Sequence, residues 1–368
     1  MNLSKEKWRN VPLGNICNVL RGDIITKKTI VSGNIPVIAS AIGPSYYHNK
    51  ANRNANIITI TCSGNAGYID FYDTPIYASD CITVEPIDKS ANEVKYIYYA
   101  LKSVESKIKS LQRGTAQKHI YPKDIIPLEI PLPNQLEQKF IAGLFHSIET
   151  SIEHAKAQEN ILNELKKTVV NGLLKEMPVF GNLLNAKNCT LTSFAAIAEC
   201  DKKYREHKKE PTRFIGLENI KSENFQIQGW GDVEKGTTFT KRFVIGDVLF
   251  GKRRAYLKKV AIADFDGLCS GDILVLRAKE KQVLPKLLPF YISSETFIQH
   301  AVSTSAGSLS PRTKWKDLAE LQLSIPDLET QKKILDILEG IMSNIVQLNK
   351  QQASLENLKQ KLFSEILG

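Results

Sequence analysis

One stretch of this sequence recurs at a constant offset of 193 residues, and that recurrence limits the chain to architectures built from two copies of one unit. Gly114 maps onto Gly307, Lys123-Asp124 onto Lys316-Asp317, Leu128 onto Leu321, Pro133 onto Pro326 and Gln138-Lys139 onto Gln331-Lys332. Further on, Ile141, Ile148 and Ile152 map onto Ile334, Ile341 and Ile345, and Leu162, Leu165 and Lys166 onto Leu355, Leu358 and Lys359. Roughly a quarter of about 60 positions agree without a gap, as a duplicated supersecondary unit requires.

Each copy opens with alternating apolar residues, Leu128, Ile130 and Leu132 or Leu321, Leu323 and Ile325, which predicts a short strand stopped by the following proline. Asn134 and Asp327 then stand as helix N-caps, and Glu137 completes a capping box in the first copy. Two helices of about 40 residues, about 60 Å each, are predicted. Their stripes run Ile141, Phe145, Ile148, Ile152, Ala155, Leu162, Leu165, Val169 and Ile334, Leu338, Ile341, Ile345, Leu348, Leu355, Leu358, Leu362. Packing the stripes on each other, antiparallel about a pseudo-twofold axis, satisfies both; packing each helix on its own domain is the other arrangement, and the helix length favours the first.

Upstream lie two longer stretches of looser mutual resemblance, Leu13 to Gly114 and Leu191 to Gly307. Both open with what reads as an amphipathic turn (Leu13–Cys17; Leu191–Ala195). Both then reach a strand after a serine (Ser79-Asp80-Cys81-Ile82-Thr83-Val84; Ser270-Gly271-Asp272-Ile273-Leu274-Val275), followed by a helical segment. The predicted fold class is α/β in the α+β sense: two globular target-recognition domains separated by two long antiparallel coiled-coil helices. The divisions are residues 1–133 for the first head, 134–176 for a central helix, 177–326 for a linker and second head, and 327–368 for a distal helix. The Met177 to Thr190 stretch, with Pro178 and Gly181, is the junction.

The formal net charge of +10 points to an acidic partner, nucleic acid foremost. The densest basic run lies in the second head, where Lys241, Arg242, Lys252, Arg253, Arg254, Lys258 and Lys259 face only Asp247. Flanking apolar runs (Val248–Phe250, Val260–Ile262) put Lys252-Arg253-Arg254-Ala255-Tyr256 on a loop or hairpin, which suits DNA phosphates and guanine edges as well as a merely solvated turn. A weaker run holds Lys202, Lys203 and Arg205 around Tyr204, where phosphate contacts are expected. In the first head, Tyr47, His48 and Asn49 near Arg53 and Asn54, and Arg113, Gln117 and Lys118, carry base-reading chemistry on what are otherwise polar turns.

Enzyme signatures are weak. Gly246-Asp247-Val248-Leu249-Phe250-Gly251-Lys252-Arg253 approaches a phosphate-binding loop, but Arg253 replaces the magnesium-binding hydroxyl and Val248–Phe250 reads as strand. There is no glycine-rich methyl-donor loop, no catalytic Asn/Asp-Pro-Pro-aromatic tetrapeptide and no paired histidines. Six scattered cysteines without CxxC spacing predict neither zinc nor disulfides. With 42% hydrophobic and 24% charged residues, no long apolar run and no secretory pattern at the N-terminus, the expectation is a soluble cytoplasmic protein without a membrane segment.

Taken together, the head-plus-helix duplication, the Ile130-Pro131-Leu132-Pro133 to Gln138-Lys139 and Leu323-Ser324-Ile325-Pro326 to Gln331-Lys332 junctions, the stripes, and Gly251-Lys252-Arg253-Arg254-Ala255-Tyr256 with Ser270-Gly271-Asp272 resemble the specificity subunits of type I restriction–modification systems. The second copy departs from the usual junction in having Thr330 before Gln331. The resemblance implies that each head reads one half of a bipartite site in double-stranded DNA and that the helices set the spacing. It also implies docking of two methyltransferase (modification) subunits and a restriction/translocase subunit. No catalytic residue, metal or cofactor is then expected in this chain; S-adenosylmethionine, ATP and Mg²⁺ are expected in the partners. A stand-alone nucleic-acid adaptor, or a specificity subunit of another DNA-methylating defence system, is the alternative.

Overall fold

The computed structural model describes residues 3, 5–114, 118–172, 188–200 and 210–368. The chain divides into two compact units, Met1–Lys156 with Lys350–Gly368, and Ala157–Asn349. In the first unit it runs through β1 (Arg9–Pro12), β2 (Cys17–Arg21), β3 (Ile35–Ile38), β4 (Pro44–His48), β5 (Ile57–Thr61), β6 (Ile69–Tyr72), β7 (Tyr77–Ala78), β8 (Cys81–Pro86), α1 (Val94–Ser103), α2 (Glu105–Ser110), α3 (Pro122–Ile125), β9 (Glu129–Leu132) and into α4 (Gln135–Gly172). Then come β10 (Cys189–Ser193), α5 (Phe194–Ile197), β11 (Ala198–Cys200), β12 (Arg213–Ile215), β13 (Gly231–Asp232), β14 (Lys241–Phe243), β15 (Val248–Gly251), β16 (Val260–Ile262), β17 (Gly267–Cys269), β18 (Ile273–Ala278), α6 (Leu288–Ser293), α7 (Glu295–Ser303), α8 (Trp315–Ala319), β19 (Gln322–Pro326) and α9 (Leu328–Leu362).

The two heads share one plan despite their unlike sequences. An antiparallel sheet in the order β2-β8-β5-β6 in the first corresponds to β11-β18-β15-β16 in the second, and β4-β3-β7 corresponds to β13-β12-β17-β14. Period-two strand geometry explains how one strand feeds two cores. From β5, Ile58 and Ile60 join the core beneath α1, with Tyr96, Ile97 and Leu101, while Ile57 faces Ile38, Ile76 and Ala78 of the other sheet. In the second head Val248 and Phe250 of β15 pack with Phe290, Tyr291 and Phe297, while Leu249 packs with Ile215, Phe243 and Cys269. Central strands buried on both faces favour β-branched and aromatic residues, as Ile57-Ile58-Thr59-Ile60-Thr61 shows.

The repeated segment builds the head-to-helix joint. β9 pairs antiparallel with β1, and β19 with β10. Asn134 accepts from the Glu137 amide at 3.0 Å and Asp327 from the Thr330 amide at 2.7 Å, so both caps form as their residue types predict. The repeated glutamine is a buried bolt. Gln138 donates to the Pro133 carbonyl (3.0 Å) and accepts from the Glu93 amide (2.8 Å); Gln331 donates to Pro326 (2.8 Å) and Gln282 (2.9 Å) and accepts from Leu284 (2.9 Å).

Both of the packing arrangements open to the helices are used. Ile141 and Phe145 enter the first head's core, and Ile334, Leu338 and Ile341 enter the second's. Within the first unit the helices also pair: Phe145 stacks on Phe363 at 4.4 Å, Glu149 pairs with Lys359, and Lys156 lies 3.6 Å from Glu356. One number rises as the other falls, so the pairing is antiparallel. Phe363, in a π turn over Phe363–Leu367, thereby joins the first head's core with Ile366 and Leu367.

Two local expectations change. Leu191–Ser193 form strand rather than an amphipathic turn, because Thr190 to Ser193 pair in register with Ile325 to Gln322. The helical segment after β8 breaks at Val104, whose backbone (φ −107°, ψ 17°) leaves the helical region. Residues 173–187, most of the expected junction, lie outside the described residues.

Candidate nucleic-acid interface

In the second head three loops converge at the end of the β15–β18 pair. The first follows Gly251, where a Cβ would meet Leu217 Cδ2 at 2.9 Å and Lys259 Cβ at 3.2 Å, so the strand packs closely against both side chains there. Residues 252–258 then turn sharply, with Arg254 (φ 54°) and Lys258 (φ 49°) in the left-handed region that L-residues adopt only when held there. The holding bonds run from Lys252 N–H to the Asp272 carbonyl (2.9 Å), from Arg254 N–H to Pro311 (2.8 Å) and from Thr313 N–H to Lys252 (3.1 Å). The loop before β18 and the loop at 304–313 are thus stitched to the basic loop by backbone.

Side chains complete the cluster. Asp272 accepts from Arg312 Nε at 2.6 Å and Nη2 at 3.2 Å, and Arg253 Nη1 lies 3.6 Å away. Arg253 also donates to Ser310 Oγ (3.1 Å), and Arg254 to the Leu309 carbonyl (3.4 Å). The Arg312 bonds hold the Asp272 carboxyl below its usual range, and burial with Lys241 nearby pulls the Lys252 ammonium down. Tyr256 is 53% exposed and Leu309 88% exposed, at the rim of this surface. Planar guanidinium forks, a phenol and ammonium groups on ordered backbone can address phosphates and base edges together.

The charge count made along the sequence overstates the free charge. Lys241 donates to the Ile273 carbonyl (2.6 Å) and Lys259 to Leu217 (2.5 Å); Arg242 pairs with Glu210 (2.7 Å) and Lys258 with Glu295 (2.7 Å). These four brace the head, and Arg254 and Tyr256 are the predicted residues that stand most exposed. Lys202, Lys203 and Arg205 lie outside the described residues, as does Gln117. Val248–Gly251, the middle of the phosphate-loop lookalike, is a central strand paired on both sides.

The first head separates its candidates. Tyr47 and Asn49 are exposed on or beside β4, and Lys118 is exposed in the loop after Gly114. His48 is corrected: it is only 7% exposed, its Nδ1 lies 3.1 Å from the Val31 backbone, and its ring meets Tyr77 edge-on at 5.3 Å, so it is core. Arg53 is likewise braced, by the Thr83 hydroxyl (3.2 Å) and the Arg21 carbonyl (3.1 Å). Arg113 is largely exposed but tethered to Asp124 at 2.6 Å.

Two arginines escaped the sequence reading. Arg312 closes the 306–312 loop, and Arg21, at the end of β2, pairs with Asp80 at 3.1 Å. Neither belongs to a basic run; the available signal was the aspartate in the Ser79-Asp80 and Gly271-Asp272 segments. Among the described residues no cluster of His, Cys, Asp or Glu could hold a metal ion, and no helix is long and apolar enough to cross a membrane.

Comparison with known proteins bears on these two heads directly. The family model of the type I restriction modification DNA specificity domain matches twice, over residues 5–166 and 186–357. The chain is 25% identical to the type I restriction enzyme EcoDI specificity subunit of Escherichia coli, covering 97% of this chain and 87% of that one. It is 24% identical to the MjaVIII specificity subunit of Methanocaldococcus jannaschii, covering 85% and 79%. Its fold is similar to the crystal structure of a type I restriction–modification S subunit from M. genitalium, with a TM-score of 0.68 at 16% identity over 98% of this chain and 96% of that one. A second solved type I system chain gives a TM-score of 0.55 at 16% identity over 97% of each. With the family domain matched on both heads and onto both long helices, this chain belongs to the type I restriction–modification DNA specificity family.

Proposed function

We propose that this chain is the DNA-reading subunit of a type I restriction–modification assembly, each head reading one half of a bipartite, asymmetric site in double-stranded DNA. The observation that carries this is one plan built twice, with like joints and helices and unlike loops at the strand ends. Specificity then resides in the loops, and assembly and spacing in the helices. Helices of about 60 Å can separate two heads by more than one DNA turn of roughly 34 Å.

In this reading two methyltransferase subunits dock along the helices, and a restriction/translocase subunit joins them. Transfer of a methyl group from S-adenosylmethionine to a flipped adenine, and ATP- and Mg²⁺-dependent translocation and cleavage, belong to those partners, and the complex works in the cytoplasm. What this chain contributes is orientation: it places the bound site against the partners' chemistry while making no covalent step itself. Arg254, Lys252, Tyr256, Lys118, Tyr47 and Asn49 are assigned to DNA contact, and Lys241, Arg242, Lys258 and Lys259 to bracing the reading surface.

Methylome sequencing of cells expressing this chain with its methyltransferase tests the assignment. The expected result is adenine methylation within a two-part motif interrupted by a fixed unread spacer. A contiguous motif would sink the bipartite reading, and bipartite duplex binding without any methyltransferase dependence would favour a stand-alone adaptor. Replacing Lys252 and Arg254 by alanine is expected to abolish site binding while leaving the methyltransferase complex assembled.

A further inference from the structure

At the same structural position in both heads a carboxylate grips an arginine, and the sequence repeat locates that position. In the second head Lys252 N–H donates to the Asp272 carbonyl (2.9 Å) and the Lys252 carbonyl accepts from Thr313 (3.1 Å). In the first, Cys62 N–H donates to Asp80 (3.4 Å) and the Cys62 carbonyl accepts from Ile120 (3.0 Å), and Ile120 and Thr313 stand at the repeat offset. The loop beside each is closed identically: Ala306 and Arg312 exchange two backbone bonds at 3.0 Å, as Arg113 and His119 do at 2.9 and 2.8 Å. Gly307 and Gly114, at φ 109° and 115°, open these loops.

Asp272 and Asp80 each stand immediately before their strand, β18 or β8. The residue after the stitched position approaches the carboxylate in both heads: Arg253 as an ion pair 3.6 Å from Asp272, Ser63 as a hydroxyl donating to Asp80 at 2.5 Å. What differs is the arginine. In the second head it is Arg312, from the loop; in the first it is Arg21, from the end of β2. Both arginine side chains remain open to solvent, at 46% and 40% of their surface.

We propose that Arg312 and Arg21 are the specificity-determining arginines of the two heads, each reading one guanine in its own half-site, with Asp272 and Asp80 as positioning residues. This rests on the DNA-reading assignment above. Among the described residues Arg312 spends two N–H groups on Asp272 and one on the Ser310 carbonyl, which leaves two of its five for a ligand. A fork fixed in one plane forfeits little further freedom on binding, which favours two-point recognition of guanine O6 and N7. The choice between base and phosphate follows from charge. A carboxylate 2.6 Å from the guanidinium neutralises it and repels a phosphate, whereas it tolerates a neutral base edge. Arg254, exposed and, among the described residues, bonded to a carbonyl at 3.4 Å rather than to a carboxylate, keeps its charge for the backbone.

The test uses the complete chain assembled with its methyltransferase, read by methylome sequencing and by duplex binding across graded salt. R312A is expected to relax one G·C position in one half-site, and R21A one in the other, each cutting discrimination there by about 5- to 150-fold. R312K keeps the charge but not the fork, so it is expected to lose the same discrimination with an unchanged salt slope. D272N is expected to lower discrimination at the R312A position and to add nothing to R312A, with assembly intact. Uniform weakening across all sequences with a shallower salt slope would make these phosphate contacts, and an unchanged motif in R312A and R312K would dismiss them as bracing; either result overturns the proposal. A wild-type complex without sequence preference would overturn the DNA-reading assignment itself, before any variant is made.

Discussion

Replacing Gln331 by alanine isolates the repeated joint between strand and helix. The amide of Gln331 is fully buried and makes three bonds, donating to Pro326 and Gln282 and accepting from Leu284, all at 2.8–2.9 Å. Alanine cannot replace any of them. Each orphaned buried group costs about 1–3 kcal/mol, with the Pro326 carbonyl, enclosed on all sides, at the upper end and the two partly wetted partners at the lower. The sum is a loss of about 3–5 kcal/mol, a large part of a domain's net stability of about 5–15 kcal/mol. For a unit of this size each kcal/mol lowers the midpoint by about 2–4 °C, so the second unit should melt roughly 6–20 °C earlier. Scanning calorimetry paired with amide hydrogen exchange reads this, because exchange assigns the transition to strands β15 and β18 rather than β5 and β8. Q331E should be no better, since it sets a carboxylate oxygen against two carbonyls. A Q331A midpoint within about 2 °C of wild type, the effect of about half a kcal/mol, would refute the reasoning.

Other outcomes follow from the same kind of accounting of buried groups. Tyr291 is fully enclosed and among the described residues its hydroxyl has no hydrogen-bond partner, so Y291F should leave stability unchanged or raise it by about 1 kcal/mol in urea unfolding; a loss would show that the hydroxyl is satisfied in solution. Burial pushes the thiols of Cys17, Cys62, Cys81 and Cys269 up to about 12, which keeps them protonated at neutral pH; iodoacetamide followed by peptide mass spectrometry should modify the half-buried Cys189 and Cys200 first. Asp272 is depressed by Arg312, so the stability it contributes is present above its ordinary value of 3.8 and is lost as pH falls through the lower folded value. Discrimination in that half-site should therefore stay flat from about pH 5 to 8, and a fall near pH 6 would point to another group.

The parts of the fold legible in the sequence are those whose cause is local or periodic. Asn134 and Asp327 announce helix starts because a cap bonds an amide only three residues on, and the stripes from Ile141 and Ile334 announce helices because their period is the helix's own. The heads were legible only in part. Their equivalence lies in strand order, which tolerates any apolar residue of the right size at alternate positions, so little identity needs to survive. The recognition surface was legible least of all. His48 has the chemistry of a base reader, but the fold turns it inward onto Tyr77, and Arg242 and Lys258 look free until Glu210 and Glu295 arrive from distant segments. Arg312 and Arg21 sit outside every basic run and acquire meaning only through Asp272 and Asp80, 40 and 59 residues away in the chain.

That contrast has a physical consequence for how such a chain can change what it binds. The groups that hold each head together, Gln138 and Gln331, the double-faced central strands and the capped helices, face inward and are satisfied within one unit. The groups assigned to reading stand on the loops those elements support, and the same carboxylate position accepts an arginine from a loop in one head and from a strand end in the other. An arginine can thus be moved without disturbing a core contact. Q331A and R312A should accordingly combine additively in each measurement taken separately, unfolding stability and base discrimination, as independent sites do, to within about 0.5 kcal/mol. A non-additive double variant would mean that the joint and the reading loops share one network, and the separation of folding from recognition argued from this geometry would fail.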